Sequence, residues 1–331
     1  MCTTAIRSCA LMSHQPKLFT AKKTRKRELM GIFIRGLAMG VADLVPGVSG
    51  GTIAFITGIY GRLLNALKSL TPIALGILIK QGPAAFWRAI DGKFLLTLFM
   101  GIICSIIIFA KVVSISLERY PILVWSFFFG LVVASVIYLV RQIPKWQVKE
   151  LAALIAGTVG AIVITFVRPV ELPSEWWMVL IAGSIAICAM ILPGISGSFI
   201  LLLMGMYKVL IQAVEELDIA LLFSFATGCL LGLLAFSHLL SALLKHYESI
   251  VFATLTGFLI GSLNLLWPWK QVLETTVNRH GELIPLVQVN ITPFQYVEVT
   301  AQPAFLGMAM VCLLSGLVLI LLLEKIANTK V

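Results

Sequence analysis

Apolar runs long enough to cross a membrane recur from about residue 30 to residue 323, and few charged residues interrupt them. A run of about 20 such residues spans the hydrocarbon core as one helix. This pattern constrains the chain more than any other feature. With 60% hydrophobic and 12% charged residues and a mean hydropathy of +1.02, the 331-residue chain lacks the polar surface a soluble domain of this length needs. The short alternating strands of an outer-membrane barrel are absent. The expectation is an all-α polytopic membrane protein.

Ten helical segments follow from the hydropathy pattern: 29–43, 48–67, 93–116, 121–141, 149–168, 177–191, 196–214, 219–244, 249–269 and 303–324. The first and sixth run for only about 15 residues before a Pro-Gly, roughly 22 Å of helix against a hydrocarbon thickness of ~30 Å. Each is followed at once by another apolar segment. Two re-entrant hairpins, 29–67 and 177–214, fit this better than four complete spans.

The chain also repeats itself. "DLVPGVSGGTIAFITGIYGRLLNAL" (43–67) aligns without gaps to "MILPGISGSFILLLMGMYKVLIQAV" (190–214), with nine of 25 positions identical. A second block, 101–135 against 228–262, shares Gly101/Gly228, Tyr120/Tyr247, Gly130/Gly257 and others in the same order. The change of offset puts extra residues in the first half, around 70–92. Repeat 1 is then 29–168, with helices 93–116, 121–141 and 149–168. Repeat 2 is 177–325, with helices 219–244, 249–269 and 303–324. A hairpin plus three crossings is an odd number of passages, so the second repeat enters the membrane upside down relative to the first.

Charge supports that topology. Most of the 25 Lys and Arg residues, including Arg62, Arg141, Lys245 and the basic tail 1–28, fall on one side when both termini face the cytoplasm. The net charge of +10 is therefore an orientation signal rather than a nucleic-acid footprint. The tail lacks the short apolar core of a cleavable signal. Six cysteines and four histidines are scattered without metal-ligand spacing, which argues against a metal or other cofactor. The segment 270–302 is the only sizeable stretch outside, and Tyr60 and Tyr207 read as interfacial anchors.

Helix breakers inside an apolar run are tolerated only where the broken backbone is buried in protein or lines a cavity. Pro46-Gly47 and Pro193-Gly194 turn the two hairpins, and each opens a returning helix whose first amides are unpaired and carry the positive end of the dipole. Ser49, Gly50, Gly51 and Thr52 in one repeat, and Ser196, Gly197 and Ser198 in the other, add hydroxyl donors and backbone that a ligand can approach. Such a cradle suits a phosphate or carboxylate. The plainer alternative is that Pro-Gly only turns each hairpin and serine caps the next helix. Asp43 lies on one helical stripe with Gly36 and Gly40, which carries it inward. Coupling transport to protons is one role for it; holding Arg35 or capping the second hairpin is the plainer alternative. Arg35 is either a phosphate contact or a snorkelling cation.

"RGLAMGVADLVPGVSGGTIAFITGIY" together with "LPGISGSFILLLMGMY" resembles the PopT-type undecaprenyl phosphate translocase family, over roughly residues 29–325. That resemblance implies a multi-pass protein of the bacterial inner membrane. It would return undecaprenyl phosphate from the outer to the inner leaflet for envelope polymer synthesis, with membrane lipids and possible coupling protons as its other partners. An acidic residue commonly follows the first Gly-Ile-Tyr in the family; here Gly61-Arg62 stands there. Two other readings stay open: an ion-coupled small-anion transporter, and an enzyme like the undecaprenyl pyrophosphate phosphatases, whose Pro-Gly-x-Ser-Arg-Ser motif is similar. Gly50 and Gly197 replace the arginine of that motif. Without it, backbone amides and hydroxyls can bind a phosphate but have little to cleave one with.

Overall fold

The computed structural model describes residues 18–44, 49–70, 72–167, 172–277 and 283–328. The first half contains α1 (Leu18–Asp43), α2 (Gly50–Ile56), α3 (Tyr60–Lys68), α4 (Pro72–Gln81), α5 (Pro83–Ala89), α6 (Gly92–Arg119), α7 (Pro121–Gln142) and α8 (Val148–Phe166). The second contains α9 (Trp176–Ile191), α10 (Gly197–Leu203), α11 (Met206–Glu215), α12 (Ile219–Leu266), β1 (Lys270–Val277), β2 (Leu283–Asn290), α13 (Pro293–Thr300) and α14 (Leu306–Asn328). Among the described residues α6, α7, α8 and α12 are each long and apolar enough to cross a membrane, and the bent pair α10–α11 makes a fifth candidate. The chain is a mostly helical, multi-pass membrane protein. Pro46 and Gly47, expected to turn the first hairpin, lie outside the described residues.

Local chemistry sets many of the element ends. Proline opens α5, α7 and α13, where its missing N–H costs nothing. Gln147 with Glu150, and Thr292 with Gln295, form reciprocal caps at the starts of α8 and α13. Glu150 is 3% exposed, which the cap and nearby Lys149 make tolerable.

The returning helices and the outside segment depart from expectation. The returning helices 48–67 and 196–214 are not continuous. Each breaks at a glycine in the left-handed region, Gly58 (φ 71) and Gly205 (φ 68), and the second pair bends by 106°. Only glycine adopts that backbone without a Cβ penalty, and both occupy the same place in the repeat. Segments 219–244 and 249–269 are the two limbs of α12, which is kinked between them. Its 48 residues would stretch about 72 Å if straight, more than twice the ~30 Å core. Tyr247 (φ −137, ψ 43) breaks it, with nearly the same backbone as its repeat counterpart Tyr120 (φ −137, ψ 53) between α6 and α7. Pro121 follows Tyr120 and separates those helices, whereas Glu248 follows Tyr247 and keeps its amide. The extra residues at 70–92 fold as α4 and α5. The outside segment carries an antiparallel hairpin, β1 paired with β2 from Lys270–Asn290 to Val277–Leu283, so the chain is not purely α-helical.

Close helix packing runs through glycines. A side chain on Gly36, Gly40 or Gly101 would collide with the backbone of the facing helix, which locks α1 onto α6. Gly183, Gly228 and Gly232 do the same for α9 and α12. Gly130 and Gly316 join α7 to α14, while Gly157 and Gly257 join α8 to α12. Without bulk between them the axes approach closely and dispersion contacts replace the hydrophobic drive that lipid cannot supply. At the centre sits α2, every residue of which is buried. Phe55 meets the rings of Tyr60 and Phe252 edge-on at 5.0 and 5.2 Å.

Candidate functional site

Residues 141 and 142 positions apart in sequence meet at the centre of the molecule. The Ser49 hydroxyl donates to the Met190 carbonyl at 3.0 Å, and the Gly194 amide donates to the Thr52 hydroxyl at 3.1 Å. Tyr60 adds a third link, donating to the Ile191 carbonyl at 3.1 Å. Gly51 lies against that same carbonyl, with no room for a Cβ. The two Ser-Gly motifs, with the buried Pro193 and Gly194 turn of the second, form one cluster.

Their donors are used differently. Ser49 caps α2 and accepts from the Gly51 amide at 3.1 Å. Asp43, the last residue of α1, accepts from the Gly50 amide at 2.6 Å. The Thr52 amide bonds the Ser49 carbonyl at 2.9 Å. The start of α2 is therefore satisfied by its own chain, and a carboxylate occupies the position where an anion would bind. A Cβ on Gly50 would sit 2.6 Å from Asp43 Oδ2, so only glycine lets the carboxylate reach that amide.

The second motif is open by comparison. Ser196 takes the capping position of α10 but makes no capping bond; its hydroxyl pairs with that of Ser198 at 2.8 Å. The first amide to bond back is that of Ile200, to the Ser196 carbonyl at 3.2 Å, so the amides before it have no intrahelical partner. Ser198 is exposed and Gly197 buried. A cavity of about 20 Å³ adjoins the turn, between Ser196, Gly194, Thr165 of α8 and Ser262 of α12. That space holds about one water. An anion the size of a phosphate must bind on the Ser198 side or part α8 from α10.

Arg35 does not join the cluster. It lies eight residues before Asp43, about 12 Å along α1 by helical rise, and makes no hydrogen bond or ion pair among the described residues. Tyr60 was expected at the interface and is instead 4% exposed in the core, because α2 carries it beneath the second turn; Tyr207 is exposed. Its period-matched neighbours gave no hint of that asymmetry. Arg62, two positions past Tyr60, bonds Glu28 at 2.9 Å and Asp91 at 2.7 Å and lies over Phe94, joining α1, α3 and α6. Among the described residues no three His, Cys, Asp or Glu side chains converge where a metal could bind.

Helices packed through glycine, broken mid-chain and joined at two Ser-Gly turns define a polytopic membrane protein of the transporter type. The chain belongs to the VCA0040-like, undecaprenyl phosphate translocase-like family, whose model matches residues 39–284 and so spans both turns. It is 49% identical over 299 residues to a polyprenyl-phosphate transporter of Vibrio cholerae serotype O1, covering 90% of this chain and 97% of that protein. It is 31% identical over 253 residues to a polyprenyl-phosphate transporter of Staphylococcus aureus, covering 71% of this chain and 85% of the relative. No solved structure matches the chain.

Proposed function

We propose that this protein carries a polyprenyl phosphate across the bacterial inner membrane, returning undecaprenyl phosphate from the outer to the inner leaflet for envelope polymer synthesis. The observation that carries the reading is the union of two Ser-Gly turns, one saturated by Asp43 and its own hydroxyls, the other with donors to spare. A lipid phosphate takes the donors at Ser196, Gly197 and Ser198. Ser49, Gly50, Gly51 and Thr52 form the supporting half of the cradle, and Arg35 attracts the headgroup from the cytoplasmic side. Pro193-Gly194 keeps the start of α10 at mid-membrane.

The architecture in this reading is two inverted repeats, 29–168 and 177–325, each with a re-entrant hairpin and three crossings, and both termini cytoplasmic. Reciprocal exchange favours it. α7 of the first repeat packs on α14 of the second through Gly130 and Gly316, and the repeat equivalent of α7, the second limb of α12, packs on α8 through Gly257 and Gly157. A two-fold axis in the membrane plane produces such swapped pairs.

Asp43 then has a role in coupling. Ionised, it accepts from the Gly50 amide and fills the anion position of α2. Protonated, it is a weaker acceptor and releases that amide. Proton uptake at Asp43 would thereby favour the state in which the first motif shares the phosphate with the second.

The test is leaflet exchange of labelled undecaprenyl phosphate in proteoliposomes, with and without a pH gradient, with released phosphate assayed there and in parallel samples loaded with undecaprenyl pyrophosphate. Exchange without phosphate release is expected. Ser196→Ala with Ser198→Ala removes two hydrogen bonds to a charged phosphate, roughly 1.5–3 kcal/mol each, and should slow exchange by about a hundredfold or more at low lipid fraction. Unchanged exchange in that stably inserted double variant would remove the cradle. Phosphate released from the pyrophosphate lipid would make the protein an enzyme instead.

A further inference from the structure

A cavity of about 370 Å³ lies in the crook of α12, on the concave side of the break at Tyr247. Phe236, Leu240 and Leu243 line it from the first limb, at the spacing of one helical face. Val251 and Phe258 line it from the second limb, and Tyr247 stands between. The hydroxyl of Thr254, a further wall residue, is turned to the Ile250 carbonyl at 2.9 Å, so it offers the cavity no polar partner. Leu243 and Tyr247 are 37% and 58% exposed and mark the mouth, beside Lys245 at the junction of the two limbs, so the cavity opens at the edge of the bilayer.

The inner end abuts the Pro193-Gly194 turn of the second motif. It is closed by Leu192, the last residue before Pro193-Gly194, and by Phe258, whose carbonyl lies 3.1 Å from the Cβ position of Gly194. Leu192 and Phe258 are the walls shared between this cavity and the Pro193-Gly194 turn. The volume is at the small end of the roughly 300–1,000 Å³ typical of ligand sites. It takes a few isoprene units and leaves the rest of a long chain in the bilayer.

We propose that the crook of α12 is the binding site for the phosphate-proximal isoprene units of the transported lipid. This rests on the polyprenyl phosphate reading and deepens it, because selectivity over ordinary phospholipids then comes from the crook rather than from the phosphate donors. Every bilayer lipid brings a phosphate; only the polyprenyl lipid brings a branched chain directly attached to it. Each methylene moved from a mobile lipid environment into fixed contacts gains only dispersion energy, so shape decides the preference.

The experiment uses the full chain in liposomes of phosphatidylethanolamine and phosphatidylglycerol doped with a small fraction of undecaprenyl phosphate. Leu243 is replaced by the photoreactive p-benzoylphenylalanine, which the exposed position accommodates. Ile107, 75% exposed on α6, carries the same group as a control. Adducts at residue 243 are expected to be enriched in undecaprenyl phosphate about tenfold over its mole fraction, equal to roughly 1.4 kcal/mol of preference, while those at 107 follow the bulk composition. Short farnesyl phosphate should compete the enriched adduct away. Photoreactive farnesyl phosphate on the unsubstituted protein gives an independent reading, with label expected in the peptides of Leu192 and Phe236–Phe258. Adducts at 243 that merely follow mole fraction, with label elsewhere, would overturn the proposal. Leaflet exchange in the same liposomes separates the two readings: intact exchange without enrichment removes the crook and leaves the transporter, and enrichment without exchange keeps the crook and removes the transporter.

Discussion

Asp43 shows how one side chain can hold a membrane protein's centre together. Its carboxylate takes the Gly50 amide at 2.6 Å, in a place where an orphaned N–H has no water to turn to. Asp43→Ala leaves that buried donor unpaired and should cost about 1–3 kcal/mol, read as a lowered thermal midpoint in detergent. Asp43→Asn keeps an acceptor oxygen and should lose less; equal midpoints for Asp43→Ala and the parent protein would show that the bond contributes nothing. Lys270 offers a second test at this scale. It begins β1, donating to the Leu265 carbonyl at 2.6 Å beneath the Trp125 ring at 4.6 Å, and burial pulls its ammonium from 10.5 down to about 8. The unfolded chain keeps this proton to higher pH than the folded one does. Folding is therefore penalised in full below about pH 8, and the penalty fades as pH rises towards 10.5. Lys270→Met should abolish that rise in a comparison of thermal midpoints between about pH 7.5 and pH 9.5. The position of Asp43 on the glycine stripe was legible in the sequence; its bond to Gly50 was not, because it depends on how the segment after α1 returns.

The elements expected from hydropathy are present, and the departures sit at their joints. Apolar runs predict where a helix lies in the membrane but carry no information about a single left-handed residue within it. Gly58 and Gly205 were visible as identities of the repeat, yet their role appears only in their backbone. No atom lies within 4 Å of a Cβ placed on Gly58, so Gly58→Ala tests backbone strain alone. It should cost about 1–2 kcal/mol, with Gly58→Asn milder, measured by thermal unfolding. Gly130→Ala is the contrasting case. Its Cβ would drive into the Leu313 carbonyl, so α7 and α14 must separate, and the loss should exceed that at Gly58. The β1–β2 hairpin was readable in retrospect from the β-branched residues of "QVLETTV" and "LIPLVQVN". It was missed because helical membrane proteins set a strong prior for loops outside the bilayer.

At the scale of the whole molecule the odd number of crossings per repeat has a direct test. In a background without native cysteines, Lys145→Cys, between α7 and α8, should react with an impermeant thiol reagent only from the cytoplasmic side. Glu298→Cys, in α13, should react only from the outside. Both labelled from one side would end the inverted arrangement. The sequence by itself determined that this chain lives in a membrane and where its apolar helices run, because apolar length is a local, additive signal; the recurring Ser-Gly pattern marked two turns as candidates. Only the tertiary structure decided that the two turns share a cluster, that Asp43 fills one helix start while the other stays open, that Tyr60 is buried and Arg35 remote, and that the bend of α12 encloses an apolar cavity. Those are properties of how the chain turns back on itself, from the seven-residue return of Gly50 to Asp43 to pairs more than a hundred positions apart, and neither a period nor a composition records them.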